Sequence, residues 1–434
     1  MLVNEMVQLG AKRSGIRELF EYGLKRKAEV GAENVFDFSI GNPSVPAPQA
    51  VQDAYKEIAA RKDTVKVHGY TSATGAMSVR EAIAKNLNER FGCGARAQNL
   101  FFTCGAAPAL MSTMKAMCVA DAEYIVLAPY FPEYPTFIHA VGGKMVVVPA
   151  NTTDFDLHVE DIEPYYTEHT QAIIINSPNN PSGVVYKREA LEALAAQLRR
   201  MSEKFGHPIY LIADEPYREL VFDGLETPFI PNIYENTVVC YSWSKSLSLP
   251  GERIGYVYVP DRCADSVDLF HAVAGSARAL GHICAPATSQ YIVEQCCGVM
   301  PNIRAYDENR KTLYKGLTEM GYTCIYPHGA FYMLLKAPFG TALEFSERAK
   351  DFNILVPPCE PFGCPGYLRL STCVSHEMIL KSLPAFKALI EAGLEAFGPS
   401  QYFDGPVFLG SKKSFLFREA LLRFQSSAPH FGHL

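Results

Sequence analysis

Seven short apolar runs, rich in β-branched residues, recur through the middle of the chain. They lie near Leu100–Thr103, Tyr124–Ala128, Lys144–Pro149, Ala172–Asn176, Ile209–Ala213, Val238–Ser242 and Ile254–Val259. Most are continuous rather than alternating, the pattern of strands buried on both faces. Stretches of helical period separate them, such as Ala109–Cys118 and Arg188–Phe205. Alternating strands and helices predict an α/β sheet with mostly parallel strands. Ligands of such sheets bind outside the carboxyl ends of the strands, so the turns after these runs are where chemistry is expected. Past about residue 286 the texture changes to a helix (Asn302–Met320), apolar stretches at Tyr322–Ala337, Ile354–Pro357 and Tyr367–Cys373, and a helix at Glu377–Ala396. This predicts a smaller α+β domain. The expected division is an N-terminal arm (1–48) contributing to the small domain, a large domain (49–285), the small domain (286–396) and a tail (397–434) after Gly398-Pro399. Ser414–Phe424 within the tail reads as a basic amphipathic helix, loosely docked or in contact with a partner or membrane.

Charge removes some function classes. With 40 Lys+Arg against 46 Asp+Glu the 434-residue chain is net −6, which offers no broad positive field for nucleic acid. The 12 cysteines include no CxxC pair and the 11 histidines no HxH or HxxxH spacing, so no metal site is expected. Thiols in a reducing compartment are the expected reading. Met1–Phe20 carries five charged residues and lacks a signal-peptide core, and no run reaches the ~18 apolar residues of a membrane span. A soluble, cytoplasmic protein is expected.

Three turns carry the chemistry. Tyr241-Ser-Trp-Ser-Lys245-Ser-Leu-Ser-Leu-Pro-Gly-Glu-Arg253-Ile-Gly255 puts a lysine after a buried strand, with an arginine eight residues on. A partly desolvated lysine has a lowered pKa and serves as a nucleophile toward carbonyls, and an arginine fork suits phosphate. A surface lysine in a serine-rich loop is the rival reading of this segment alone. Asn176-Ser-Pro-Asn-Asn180-Pro-Ser-Gly183 is a rigid turn after another strand. Ile212-Ala-Asp214-Glu-Pro-Tyr217 ends a further strand on a carboxylate, which needs a cation or donor there. Asn180 to Asp214 is 34 residues and Asp214 to Lys245 is 31, each about one strand plus one crossover. All three turns can therefore meet at one sheet edge.

In order and spacing, N-x-P-x-N-P-x-G, D-x-x-Y, S-x-S-K-x7-R-x-G and the late Arg369-Leu-Ser resemble the class I aminotransferases, fold-type I pyridoxal-phosphate enzymes typified by aspartate aminotransferase, across roughly residues 35–395. The resemblance implies a large domain with a mostly parallel seven-stranded sheet plus a smaller α+β domain. It implies pyridoxal 5′-phosphate as cofactor, held by Lys245 as an internal aldimine, with Lys245 also the proton shuttle. Asp214 would pair with the ring nitrogen, and Tyr217 and Asn180 with the ring's 3′-oxygen. Ser242, Arg253 and the Gly105, Ala106 and Ala107 turn would bind the phosphate. Ala107 departs from the hydroxyl or amine side chain common in the family, so backbone donors must carry more there. Phe131, in the turn Pro129–Tyr134, would stack on the ring, and Tyr134 would sit near Asp214. Arg369 would grip the substrate carboxylate, with Asn180 beside it and Gly41 in a closing segment, Ile40–Pro43. Tyr70 would reach the phosphate of a partner subunit in a homodimer.

The implied activity is a ping-pong transfer of an amino group between an L-amino acid and a 2-oxo acid. The alternative keeps the cofactor and changes the reaction to that of a lyase, a decarboxylase or a cyclopropane-carboxylate-type synthase. A cofactor-sensing regulator is a further rival; it would carry an appended DNA-binding module, and with under 50 residues before the resemblance begins none is expected. Arg278 is the nearest candidate for an arginine that selects acidic side chains; a surface or interdomain arginine is the blander reading.

Overall fold

The computed structural model describes residues 2–11 and 15–397. The Ser414–Phe424 segment lies outside the described residues. Eleven strands are present among those described, the first a two-residue β1 (Phe36–Asp37). The main sheet contains β2 (Leu100–Thr103), β3 (Glu123–Leu127), β4 (Lys144–Val148), β5 (Thr170–Asn176), β6 (Tyr210–Asp214), β7 (Thr237–Ser242) and β8 (Gly255–Tyr258). Their order is β2-β8-β7-β6-β5-β3-β4. Neighbours from β7 to β4 run parallel, whereas β8 is antiparallel to both β2 and β7. One strand is thus reversed.

The apolar runs follow from burial on both faces. In β5, Ile173 and Ile175 enter one core while Ala172 and Ile174 enter the other. In β7, Val239 and Tyr241 face the first and Val238 and Cys240 the second. Helix Arg188–Phe205, which ends in a left-handed Gly206, lays Leu191, Leu194, Leu198 and Met201 on the first core. Helix Ala106–Met117 covers the other face with Leu110 and Met114.

Beyond the sheet, β9 (Tyr332–Lys336) pairs antiparallel with β11 (Tyr367–Ser371), and β1 pairs parallel with β10 (Ile354–Leu355). Helices Ile303–Glu319 and His376–Phe397 pack against each other beside these pairs, around a third core that includes Leu313, Leu335, Phe345 and Leu389. The β1–β10 pairing ties the N-terminal segment to this body. Helix Ala287–Gln295 packs on helices Gln49–Ala60 and Met77–Phe91 instead. The expected boundary at residue 286 therefore falls where the chain still belongs with the sheet. Among the described residues no helix is long and apolar enough to cross a membrane.

Candidate active site

The register of the sheet brings the three turns to one edge. Asn176, the last residue of β5, pairs with Asp214, the last of β6, and the Asn176 side chain donates to the Asp214 carbonyl at 2.8 Å. Asp214 in turn pairs with Cys240 of β7, two residues before that strand ends at Ser242. Lys245 sits on the single helical turn that follows, Trp243–Ser246. The reversed strand completes the group. Because β8 runs antiparallel, its first residue, Gly255, lies opposite both Thr103 and Ser242. Arg253, just before it, is thereby delivered to the same edge.

Two glycines make this approach possible. A Cβ on Gly255 would overlap the Tyr241 carbonyl and stand 2.9 Å from the Gly105 backbone. A Cβ on Gly105, at φ +98°, would stand 3.0 Å from an Arg253 guanidinium nitrogen. Arg253 thus lies across the start of helix Ala106–Met117. Gly105 caps that helix without a side-chain bond, leaving the amides of its first turn as donors. Arg253 itself has φ +51°, a conformation uncommon for a side-chain-bearing residue and often held for function.

Asp214 is buried. One of its oxygens accepts from the Tyr134 hydroxyl at 2.6 Å, and the other, Oδ1, makes no hydrogen bond. Burial pushes its carboxyl up to about 7; the Tyr134 bond opposes the shift and Glu215 adds to it. Phe131 stands edge-on to Tyr134, with centroids 5.7 Å apart, so the aromatic turn is next to Asp214. Lys245 Nζ donates to the Gly41 carbonyl at 2.8 Å and lies 5.5 Å from the centre of the Phe331 ring. Burial, with smaller contributions from Arg369 and Arg253 and an opposing one from Cys373, brings the Lys245 amine down to about 8.

Arg369, on β11, is buried between the rings of Tyr332 (4.5 Å) and Phe362 (5.1 Å). Its terminal nitrogens donate to Asn180 Oδ1 at 3.2 Å and to the Ser39 carbonyl at 2.6 Å, while Nε has no partner. With the Asn180 oxygen turned to Arg369, the amide N–H group of that residue points the other way. Tyr217 is buried and donates to the Tyr332 hydroxyl at 3.3 Å.

One edge therefore gathers Lys245, Asp214, Tyr217, Asn180, Ser242, Arg253, Arg369, Gly41, Phe131 and the Gly105–Ala107 turn. Tyr70 is different: it is 98% exposed, on the loop whose Thr71 accepts from Gln290. Arg278 is exposed in the last turn of helix Ser266–Ala279. Sequence reasoning did not single out Tyr332, Phe331 or Phe362. The apolar run around Phe331 signals a strand, but nothing in it says that the strand's first residue meets Arg369.

Pyridoxal 5′-phosphate can be tested against this geometry. A buried carboxylate with one bare oxygen and a pKa near 7 suits a ring N–H donor. A helix start crossed by an arginine suits a phosphate. An amine with a pKa near 8 suits an aldehyde. The residues fit the group.

Known proteins resemble the chain along most of its length. Residues 33–385 match the family described as aminotransferase class I and II. The chain is 30% identical to an aspartate aminotransferase of Thermotoga maritima over 376 residues, covering 85% of this chain and 95% of that one. It is 26% identical to aromatic-amino-acid aminotransferase 2 of Thermococcus litoralis over 388 residues, covering 87% and 96%. The crystal structure of an amino transferase from Eubacterium rectale superposes with a TM-score of 0.89 at 50% identity, covering 91% of this chain and 99% of that one.

Proposed function

The chain belongs to the class I and II aminotransferases and is an enzyme of amino-group transfer, and on that footing we propose the substrates, the cofactor and the residue roles that follow. The donor is an L-amino acid, the acceptor a 2-oxo acid, and the resident cofactor pyridoxal 5′-phosphate. The observation that carries this reading is Asp214, a buried carboxylate with one oxygen free, at the sheet edge that also holds Lys245 and Arg253.

Asp214 holds a proton on the ring nitrogen, and Tyr134 fixes the carboxylate that does so. Tyr217, its one O–H turned from Tyr332, and the Asn180 amide would donate to the 3′-oxygen, and Phe131 would offer the ring an apolar face. Arg253, Ser242 and the free amides at Gly105, Ala106 and Ala107 bind the phosphate. Bound there, the cofactor supplies an electron sink for the carbanion left when the α-proton departs. Lys245 Nζ would hold the aldehyde end in the resting enzyme and, once the substrate amine has displaced it, would take the α-proton as a free amine, for which its lowered pKa of about 8 is suited. Arg369 binds the substrate carboxylate, with its guanidinium plane held by the two flanking rings. The protein is read as cytoplasmic, with a large domain, a small domain joined by the N-terminal arm, and a C-terminal tail.

The test is a half-reaction. Loaded enzyme mixed with a panel of amino acids and no acceptor should release about one 2-oxo acid per site, without ammonia, sulfide or carbon dioxide. Release of any of those three would move the reading to a lyase or decarboxylase. The same panel sorts donors. Lys245, Arg253 and Arg369 each have a role above, so preference for acidic donors needs a further cation, and Arg278 is the candidate. If it serves, Arg278→Ala should lower kcat/KM for aspartate by roughly 10- to 150-fold and spare alanine. Equal change for both donors removes Arg278 from side-chain selection.

We further propose a homodimer whose sites are shared. Tyr70 is 98% exposed in the single chain, which supports a reading in which it serves a neighbouring copy. Mixing Tyr70→Ala protein with Lys245→Ala protein should then restore roughly a quarter of wild-type activity, since half of the dimers carry one intact site. No recovery after verified subunit exchange rejects the shared site.

A further inference from the structure

Tyr332 opens β9 and meets three elements of the site at once. Its ring lies 4.5 Å from the Arg369 guanidinium carbon. Its hydroxyl accepts from Tyr217 at 3.3 Å. On its third side it meets Gly41. A Cβ on Gly41 would overlap the Tyr332 hydroxyl oxygen and lie 2.6 Å from the ring carbon that bears it. The backbone of the 39–42 segment therefore rests on that hydroxyl, and only glycine allows the contact.

The same segment touches two of the site's three cations through its carbonyls. Gly41 accepts from Lys245 at 2.8 Å and Ser39 from Arg369 at 2.6 Å. These donors are the ones that the proposed function gives to the substrate. The segment thus closes on the site by three contacts, and two of them must be surrendered or shared when a substrate binds. The contact with Tyr332 is the one a substrate leaves alone.

We propose that Tyr332 is a positioning residue with two separable parts: its hydroxyl seats the 39–42 segment over Lys245, and its ring sets the plane of Arg369. The proposal rests on Arg369 being the group that binds the substrate carboxylate. The ring and hydroxyl parts divide cleanly by substitution. Tyr332→Phe keeps the ring beneath the guanidinium and removes the hydroxyl, which is both the seat and the acceptor for Tyr217; Tyr332→Leu removes the ring as well.

Two measurements read the two parts. Amide hydrogen exchange, followed by mass spectrometry on peptides covering residues 38–46, reports the seat with or without cofactor. Tyr332→Phe should speed exchange there by about fivefold or more and leave peptides from β9 and β11 unchanged, the signature of local opening. Gly41→Ala should do the same from the other side of the contact. Steady-state kinetics report the rest. Tyr332→Phe should lower kcat by about 5- to 20-fold with KM for the amino acid within about threefold, whereas Tyr332→Leu should also raise KM by about tenfold or more. Unaltered exchange at 38–46 in Tyr332→Phe overturns the seat. Equal KM in the Phe and Leu variants overturns the role of the ring. Arg369→Lys separates this from the underlying reading: an unchanged KM there removes Arg369 as the carboxylate group, while the exchange result still decides the seat.

Discussion

Replacing Lys245 with alanine should abolish amino transfer by roughly 10⁴- to 10⁶-fold, about 5–8 kcal/mol at ~1.4 kcal/mol per decade. The size follows from losing two functions in one side chain. Lys245 Nζ is proposed both to hold the cofactor's aldehyde end and to take the α-proton, and the substitution leaves nothing to do either. Its environment sets how it works. Burial lowers the amine to about 8, so near-neutral solution already holds a useful fraction in the nucleophilic form. In cofactor-free wild type, the rate of cofactor attachment should therefore rise with pH around a midpoint near 8, instead of near 10.5 as for an exposed lysine. Borohydride reduction of the loaded protein, followed by peptide mass mapping, gives a second reading. The wild type should carry the added mass on the peptide that contains Lys245, and Lys245→Ala should carry none. Label on another lysine, or an alanine variant within tenfold of wild type, removes Lys245 from the role.

Much of this site can be read in the sequence because each polar residue breaks an apolar pattern at a strand end. Asp214 ends the buried run of β6, and Lys245 follows that of β7. Parallel strands one crossover apart bring such ends to one edge, and the Asn176–Asp214 register is the outcome. The direction of β8 is not legible in the same way. A strand buried on both faces has the same composition whichever way it runs, and it is the reversal that delivers Arg253. Contacts between bodies are harder still. Gly41 reads as one glycine in a loop, and its need for a bare Cα comes from Tyr332, far along the chain. The ion pair of Arg218 with Glu215, directly behind the Asp214 turn, is likewise invisible to periodicity. The 286 boundary fails for a related reason: helix Ala287–Gln295 has the composition of either body, and only its packing on helices Gln49–Ala60 and Met77–Phe91 assigns it.

Asp214→Asn should separate the stability of the protein from its chemistry. In catalysis the substitution removes the charge that keeps a proton on the ring nitrogen, and turnover should fall by roughly 10²- to 10⁴-fold, about 3–5 kcal/mol. In the cofactor-free protein the same change should stabilise. The folded-state pKa of Asp214, about 7, lies above the unfolded value near 3.8. Its contribution to stability is therefore fully present below about pH 4 and lost as pH rises through 7, because ionisation is easier in the unfolded chain. Asparagine does not titrate, and its side-chain oxygen can still accept from Tyr134. Cofactor-free Asp214→Asn should thus melt above cofactor-free wild type at pH 8, and the two should converge toward pH 4. Adding pyridoxal 5′-phosphate should reverse the order at pH 8, since only the wild type gains a partner for its buried charge and ligand binding raises stability in proportion to affinity. Melting curves of both proteins at pH 5 and pH 8, with and without cofactor, test the whole argument. Parallel pH dependence in the two cofactor-free proteins would show that Asp214 is not the buried carboxylate that titrates. An equal gain from the cofactor in both would show that the ring nitrogen is held by another group.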